Sequence, residues 1–260
     1  FRAARIAELE LAGRYDPATH DAFFNRFSWR DFTDEETALC PPLALTGAGA
    51  FDMSALHGLM ASGRPVRVLI VQHTPAPRSG LALAIGHENA FVLQGSISNL
   101  DHLADGLAAG FAAHGPALFQ VYSPASGAGL AELAVAARAC PLYRYDGARG
   151  ATPEACLDLS GNPGGAQPPA FAEFAVADPR WAGHATRLPG DVDPDRCLSV
   201  EEYLELDDDE ERAENHACIE QTDADGSVVR VALSEALVRA GETARQTWEM
   251  LCALAAQREE

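Results

Sequence analysis

The chain lacks any uninterrupted apolar stretch near the roughly 18 residues that a membrane-spanning helix needs. Its best apolar stretch, Val66–Val71, is broken by Arg67 and is only the length of a strand. None of the six cysteines (Cys40, Cys140, Cys156, Cys197, Cys218 and Cys252) stands in C-x-x-C spacing with another. That removes the zinc ribbon and the thioredoxin-like redox motif. Six thiols in 260 residues are too sparse for a secreted disulfide scaffold. They are expected to be reduced and to behave as small hydrophobes. Neither Ser79-Gly80 nor Ser126-Gly127 lies in a G-x-S-x-G elbow, which disfavours a serine hydrolase. Positive charge is scarce, with 19 Lys+Arg against 38 Asp+Glu and a net charge of −19. An excess of that sign repels phosphate backbones, so nucleic acid is not an expected partner. The acidic run Asp207–Glu211 reads as a solvated face. Phe1–Arg5 shows no apolar segment behind its charges, so no secretory signal and a cytoplasmic location are expected. A first residue other than Met fits a segment of a longer polypeptide.

With 47% hydrophobic residues, a chain of 260 can bury a core without disulfides or metal. Ala3, Ile6, Leu9 and Leu11 come at roughly helical spacing and precede Phe23, Phe24 and Phe27. Residues 1–40 are therefore expected to be a helical lead-in, stopped by Pro41-Pro42. Leu43–Thr46 is a short strand running into Gly47-Ala48-Gly49-Ala50, and a helix follows from Asp52 to Ser62, with Gly63 at its C-terminal cap. Val66–Val71, apolar apart from Arg67, shows no sustained polar alternation, which predicts a strand buried on both faces, as in parallel sheets. Ala90–Leu93 is a third strand. Leu100, Leu103, Leu107 and Phe111 then mark one face of a helix, with Ser98 as its cap and Asp101 at the reciprocal position. Ala117–Tyr122 is a fourth strand, Ala131–Ala139 a helix and Leu142–Tyr145 an edge strand.

This alternation predicts an α/β fold of three layers, a mostly parallel sheet flanked by helices, over residues 41–148. The Gly/Pro clusters Asn162–Gly165 and Gln167–Pro169 then predict a Gly/Pro-rich and acidic linker region over 149–216. A strand at Val228–Leu233 and a helix from Ser234 to Ala256 form a small C-terminal strand–helix extension over 217–260.

Ligands of open parallel sheets bind beyond the carboxyl ends of the strands. Four segments qualify: 47–52, 72–80, 94–99 and 123–129. Helix N-termini there suit anions such as phosphate, although Gly47-Ala48-Gly49 serves a tight strand-to-helix turn equally well. His57, His73, His87, His102 and His114 fall in the same region. His73 lies just beyond a buried strand, where a base or ligand would act; a loop histidine bonded to backbone is the competing expectation. His87-Glu88 reads as an acid/base pair or as an exposed turn dipeptide. His216 and Cys218 have no companion ligands in the sequence, and Trp181 and Trp248 read as packing residues.

Six strings recur here in a familiar order: Gly47-Ala48-Gly49, then Asp52; Ala61-Ser62-Gly63; Val68–Val71; the segment Gln72–Gly80; Gly115–Leu118; and Cys140-Pro-Leu-Tyr-Arg-Tyr145. In this, residues 41–148 resemble the thiamine-diphosphate-binding domain of pyruvate:ferredoxin oxidoreductases and related 2-oxoacid:acceptor oxidoreductases. The resemblance implies the thiamine-diphosphate-binding fold, oligomerisation, and partners among the subunits or domains of a redox complex. It also implies a cofactor region around Gly47, Gly49, Asp52, Arg78, Ser79 and Gly80. In the family the aspartate of the glycine turn and an asparagine of the second loop bind Mg²⁺, which holds the diphosphate. Ala48 and Arg78 stand at those positions here. The family's cluster-binding cysteine falls in Ser123–Ser126, nearest Ala125, and its upstream Cys-x-x-Cys part is absent. The expectation is a degenerate form of the domain, with no catalytic residue, metal or cofactor of its own. It would act as a structural or subunit-contact module. An active thiamine-diphosphate- and Mg²⁺-dependent oxidoreductase subunit is one alternative. An anion-binding regulatory module using Arg78 and the glycine turn is another.

Overall fold

The computed structural model describes residues 1–40, 43–48, 52–75, 77–87, 89–164, 171–189, 193–206, 209–222 and 226–255. The chain begins with three helices, α1 (Arg2–Leu11), α2 (Pro17–Arg26) and α3 (Asp34–Ala38), as the lead-in pattern predicts. Asp16 caps α2, whose first residue is Pro17, a position where proline's missing N–H costs nothing. Thr33 and Glu36 cap α3 reciprocally. Arg5 pairs with Glu36 and stacks 5.2 Å over the Phe27 ring. Pro41-Pro42 lies outside the described residues.

Next come β1 (Leu43–Ala48), α4 (Met53–Ala61), β2 (Val66–Gln72), α5 (Pro77–Ile85), β3 (Phe91–Ser96), α6 (Leu100–Ala112), β4 (Ala117–Tyr122) and α7 (Ala128–Ala136). After them run β5 (Tyr143–Asp146), α8 (Pro153–Cys156) and β6 (Leu157–Asp158). The six strands form one sheet in the order β1-β2-β4-β3-β5-β6. The first four are parallel, and β5 and β6 close the edge antiparallel. Leu56 and Met60 of α4 and Leu81 and Leu83 of α5 pack with Val66, Val68, Ile70, Val92 and Leu118 on one face. Leu103 and Leu107 of α6 cover Phe91, Leu93, Ala117 and Phe119 on the other. The fold is therefore α/β, with helices on both faces of the sheet.

Three local expectations are corrected. Residues 77–80 are not loop: Pro77 opens α5 as a first-turn proline, and burial of Leu81 and Leu83 holds the helix on the sheet. Asn99, not Ser98, caps α6, accepting from the His102 N–H at 3.1 Å; the Ser98 hydroxyl bonds that of Ser96 instead. The helix expected over 131–139 begins at Ala128, because Gly127 takes φ 87° and frees the chain to turn in earlier.

Two contacts fix α6 on the sheet. Arg67 of β2, 4% exposed, donates to the carbonyls of Phe111, Ala113 and Gly115, where α6 ends. Gly110 lets the helix sit close: a Cβ there would lie 2.3 Å from Phe119 Cε1 and 2.8 Å from Phe91 Cδ1. Gly110→Ala is expected to lower the unfolding free energy by about 1–3 kcal/mol through overpacking. A shifted urea midpoint in chemical denaturation would show it.

The segment expected as a linker, 149–216, is structured for most of its length. α8 and β6 complete the main sheet, with Cys156, Leu157 and Leu159 buried in its core. Beyond them lie α9 (Phe171–Ala177), β7 (Ala185–Arg187), β8 (Cys197–Leu198), α10 (Val200–Leu204) and α11 (Asp209–Glu214). The C-terminal part adds β9 (His216–Thr222), β10 (Val228–Leu233) and α12 (Glu235–Leu254). β7, β10, β9 and β8 make a second, four-stranded sheet in that order. Glu210 and Glu211 are exposed, as expected of a solvated acidic run, while Asp207 and Asp208 lie outside the described residues. β10 buries Val231 and Leu233 and exposes Val228 and Arg230, the one-sided pattern of a strand in this smaller sheet. α12 serves both units: Leu237 and Val238 pack with the second sheet, Leu251 and Cys252 with the first. No helix among the described residues is long and apolar enough to cross a membrane.

Candidate functional site

The carboxyl ends of β1, β2, β4 and β3 come together on one rim of the sheet. Gly47 and Ala48 are strand residues there, paired with Ile70 and Val71. Gly49 lies outside the described residues. Asp52 caps α4, its Oδ1 accepting from the N–H groups of Ser54 at 2.9 Å and Ala55 at 3.2 Å. Arg78 and Ser79 belong to the first turn of α5; their side chains lie outside the described part. Gly80 is buried where α5 meets the sheet. A Cβ on it would fall 1.9 Å from Gln120 Oε1 and 2.9 Å from the Tyr143 hydroxyl. Gly80 is thus a close-packing glycine of the α5–sheet interface.

Beneath α5 the apolar strands turn polar. Gln120 of β4 lies beside Gln94 of β3, and Gln94 beside Tyr143 of β5. One step further along, Tyr122 of β4 lies between Gln72 of β2 and Ser96 of β3. All six side chains are buried. Among the described residues, Gln72 Oε1, Gln94 Oε1 and the Tyr122 hydroxyl have no hydrogen-bond partner. Gln94 Nε2 donates to Cys140 Sγ at 3.6 Å. Burial pushes the Cys140 thiol up to about 12 and raises the Tyr122 and Tyr143 phenols, so all three stay protonated at neutral pH. The layer therefore presents donors and acceptors without a thiolate or phenolate nucleophile. The sequence carries a signal for it that the loop-centred reading passes over. Gln94-x-Ser96 and Gln120-x-Tyr122 place polar groups on one face of otherwise apolar strands.

Asp178 and Arg180, just after α9, bear on the Tyr122 phenol with opposite signs, Arg180 lowering and Asp178 raising its pKa, both less than burial does. Asp178 is buried, which opposes its charge, but hydrogen bonds from the side chain and backbone of Arg180 outweigh burial and hold its carboxyl below the usual range.

His73 is exposed, and its Nδ1 lies 2.7 Å from the Ser123 carbonyl, a backbone contact tying the ends of β2 and β4. Glu88, the partner expected for His87, lies outside the described residues. His102 is a buried residue of α6, its pKa pushed down to about 4, first by burial. Trp248 packs under the Arg138 guanidinium at 4.4 Å, and Trp181 meets His184 edge-on, as packing residues do. A cavity of about 790 Å³ opens elsewhere, at the amino end of β2, lined by Arg30, Phe32, Cys40, Leu59, Arg64 and His114 among others.

A Mg²⁺–diphosphate site asks for several hard oxygen ligands in near-octahedral array. Ala48 offers no ligating side-chain atom, and Asp52 spends Oδ1 on its helix. Among the described residues, no three His, Cys, Asp or Glu side chains converge on one point. Neither Ala48 nor Asp52, the described residues at those places, supplies such a set. No model of a known protein family matches the chain, and no curated protein matches its sequence.

Proposed function

We propose that this chain is a degenerate thiamine-diphosphate-fold domain acting as a structural or subunit-contact module of a larger 2-oxoacid:ferredoxin oxidoreductase-like assembly. The observation that carries the reading is the use to which the rim residues are put. Asp52 caps a helix and Gly80 seats one against the sheet, both tasks of folding. The strand ends between them carry a neutral, buried amide–phenol layer. Exposed apolar side chains on α6, Leu100 and Phe111, support a role in contact with another protein surface.

Calorimetric titration with thiamine diphosphate and Mg²⁺ tests it. The natural chain is expected to give no binding heat, and an Ala48→Asp/Arg78→Asn double variant is expected to gain metal-dependent binding. Metal-dependent micromolar binding by the natural chain would overturn the proposal and favour an active oxidoreductase subunit. Metal-independent binding of the diphosphate would favour the anion-binding regulatory module.

A further inference from the structure

On the helix-covered face opposite α6, two histidines from separate elements meet. His57 lies in the middle of α4, and His87 follows the end of α5 on the way into β3. Their facing atoms, His57 Nδ1 and His87 Nε2, are 3.3 Å apart, and the ring centroids are 4.7 Å apart at a tilt of 49°. As a direct hydrogen bond this is long, because ring N–H donors prefer roughly 2.7–3.2 Å. The separation suits a shared metal better. Two imidazole nitrogens held at about 2.0–2.1 Å from one tetrahedral ion lie about 3.3–3.4 Å apart. His57 is exposed and His87 half-buried, so the point between them is reachable from solvent.

We propose that His57 Nδ1 and His87 Nε2 form a two-imidazole site for a divalent transition-metal ion of the Zn²⁺, Ni²⁺ or Cu²⁺ class, with water completing the coordination. Imidazole nitrogen prefers these ions to Mg²⁺ and Ca²⁺, and among them affinity peaks at Cu²⁺. The ion would clip α4 to the α5–β3 connection. Because both ligands are in place only in the folded chain, binding stabilises the fold by mass action. The site does not depend on the thiamine-diphosphate reading, since neither histidine lies at the carboxyl rim.

The test is calorimetry and thermal melting of the whole chain with NiCl₂ or CuCl₂ after its partly exposed thiols, Cys40, Cys197 and Cys218, are blocked with N-ethylmaleimide. The expected result is one equivalent of Ni²⁺ bound in the micromolar range, tighter binding of Cu²⁺, a raised melting temperature, and no response to Mg²⁺. His57→Ala and His87→Gln should each weaken Ni²⁺ binding at least about tenfold, whereas His73→Ala leaves it unchanged. His57 is exposed, so its replacement leaves the fold intact for the comparison. Absence of binding below millimolar metal overturns the proposal, as does binding that survives both substitutions or falls equally in His73→Ala.

Discussion

Replacing Arg67 by Met should lower the unfolding free energy by about 3–5 kcal/mol, one of the largest effects open to a single substitution in this chain. Arg67 is nearly inaccessible, and its partners are backbone carbonyls rather than a carboxylate. Carbonyls at a helix C-terminus lack intrahelical donors and carry the negative end of the helix dipole. One guanidinium in β2 meets both needs at once, donating to Phe111, Ala113 and Gly115 around the end of α6. Burial disfavours the charge and lowers its pKa, yet arginine remains ionised at any ordinary pH. Met fills similar volume but leaves the three carbonyls without their donor. Arg67→Lys keeps the charge and loses the fork, so an intermediate loss is expected. Urea denaturation of the three proteins ranks them. A Met variant as stable as the parent would show that water or a shifted helix end replaces the arginine.

The second large effect is a loss of stability in mild acid traced to one histidine. His102 is buried in α6, with neither ring nitrogen hydrogen-bonded among the described residues. Gly161 makes room for the ring, since a Cβ there would lie 2.3 Å from it. Burial, then Arg144, disfavours the imidazolium; Asp158 and Asp105 oppose this less strongly, and the pKa falls to about 4. The unfolded chain titrates near about 6.5, so between these values it binds more protons than the folded chain. Stability is thus full above about pH 6.5, declines as pH falls toward 4, and is lower by about 3 kcal/mol below that. Asp158 adds a separate, lower window. Burial opposes its charge, but hydrogen bonds from Ser160 and Arg144 hold its pKa at about 2. Its contribution is present above the ordinary carboxylate range and is lost as pH drops toward 2. His102→Phe should flatten the decline between pH 6.5 and 4 while sparing the lower one. Equilibrium unfolding across pH would separate the two; an unchanged upper slope in the variant would assign it to another group.

The parallel strands are legible in the sequence because the physics that forms them is local and strong. Val66–Val71 and Ala117–Tyr122 are mainly apolar stretches of strand length, interrupted by Arg67 and Gln120, and each becomes a strand of the main sheet. α6 is legible through Leu103 and Leu107 on its buried side. α5 is not, because Pro77 and the small residues after it read as loop until burial of Leu81 and Leu83 is known. The second sheet is legible only in β10, read at Val228–Leu233: β8 has two residues and β7 three, too short for any period to show. At the rim, sequence reasoning places Asp52 and Gly80 near the strand ends but does not reveal that a cap and a packing contact occupy them. The facing of His57 and His87 joins residues 30 apart through the docking of two helices, and no spacing rule reports it.

The buried amide–phenol layer has a consequence for how the strands find their alignment. An apolar strand buried on both faces carries little information about register, because a slip of one residue exchanges one hydrophobic surface for another. Gln72, Gln94, Gln120 and Tyr122 break that degeneracy. In the native pairing they lie beside one another on the α5 side. Slipped by one, the same strand would drive an amide or phenol into the wholly apolar cluster under α6, formed by Phe91, Leu93, Ala117 and Phe119. A lone polar group buried there would cost on the order of 1–3 kcal/mol. The layer thus acts as an alignment code, rejecting mispaired sheets during folding whether or not a ligand ever reaches the rim.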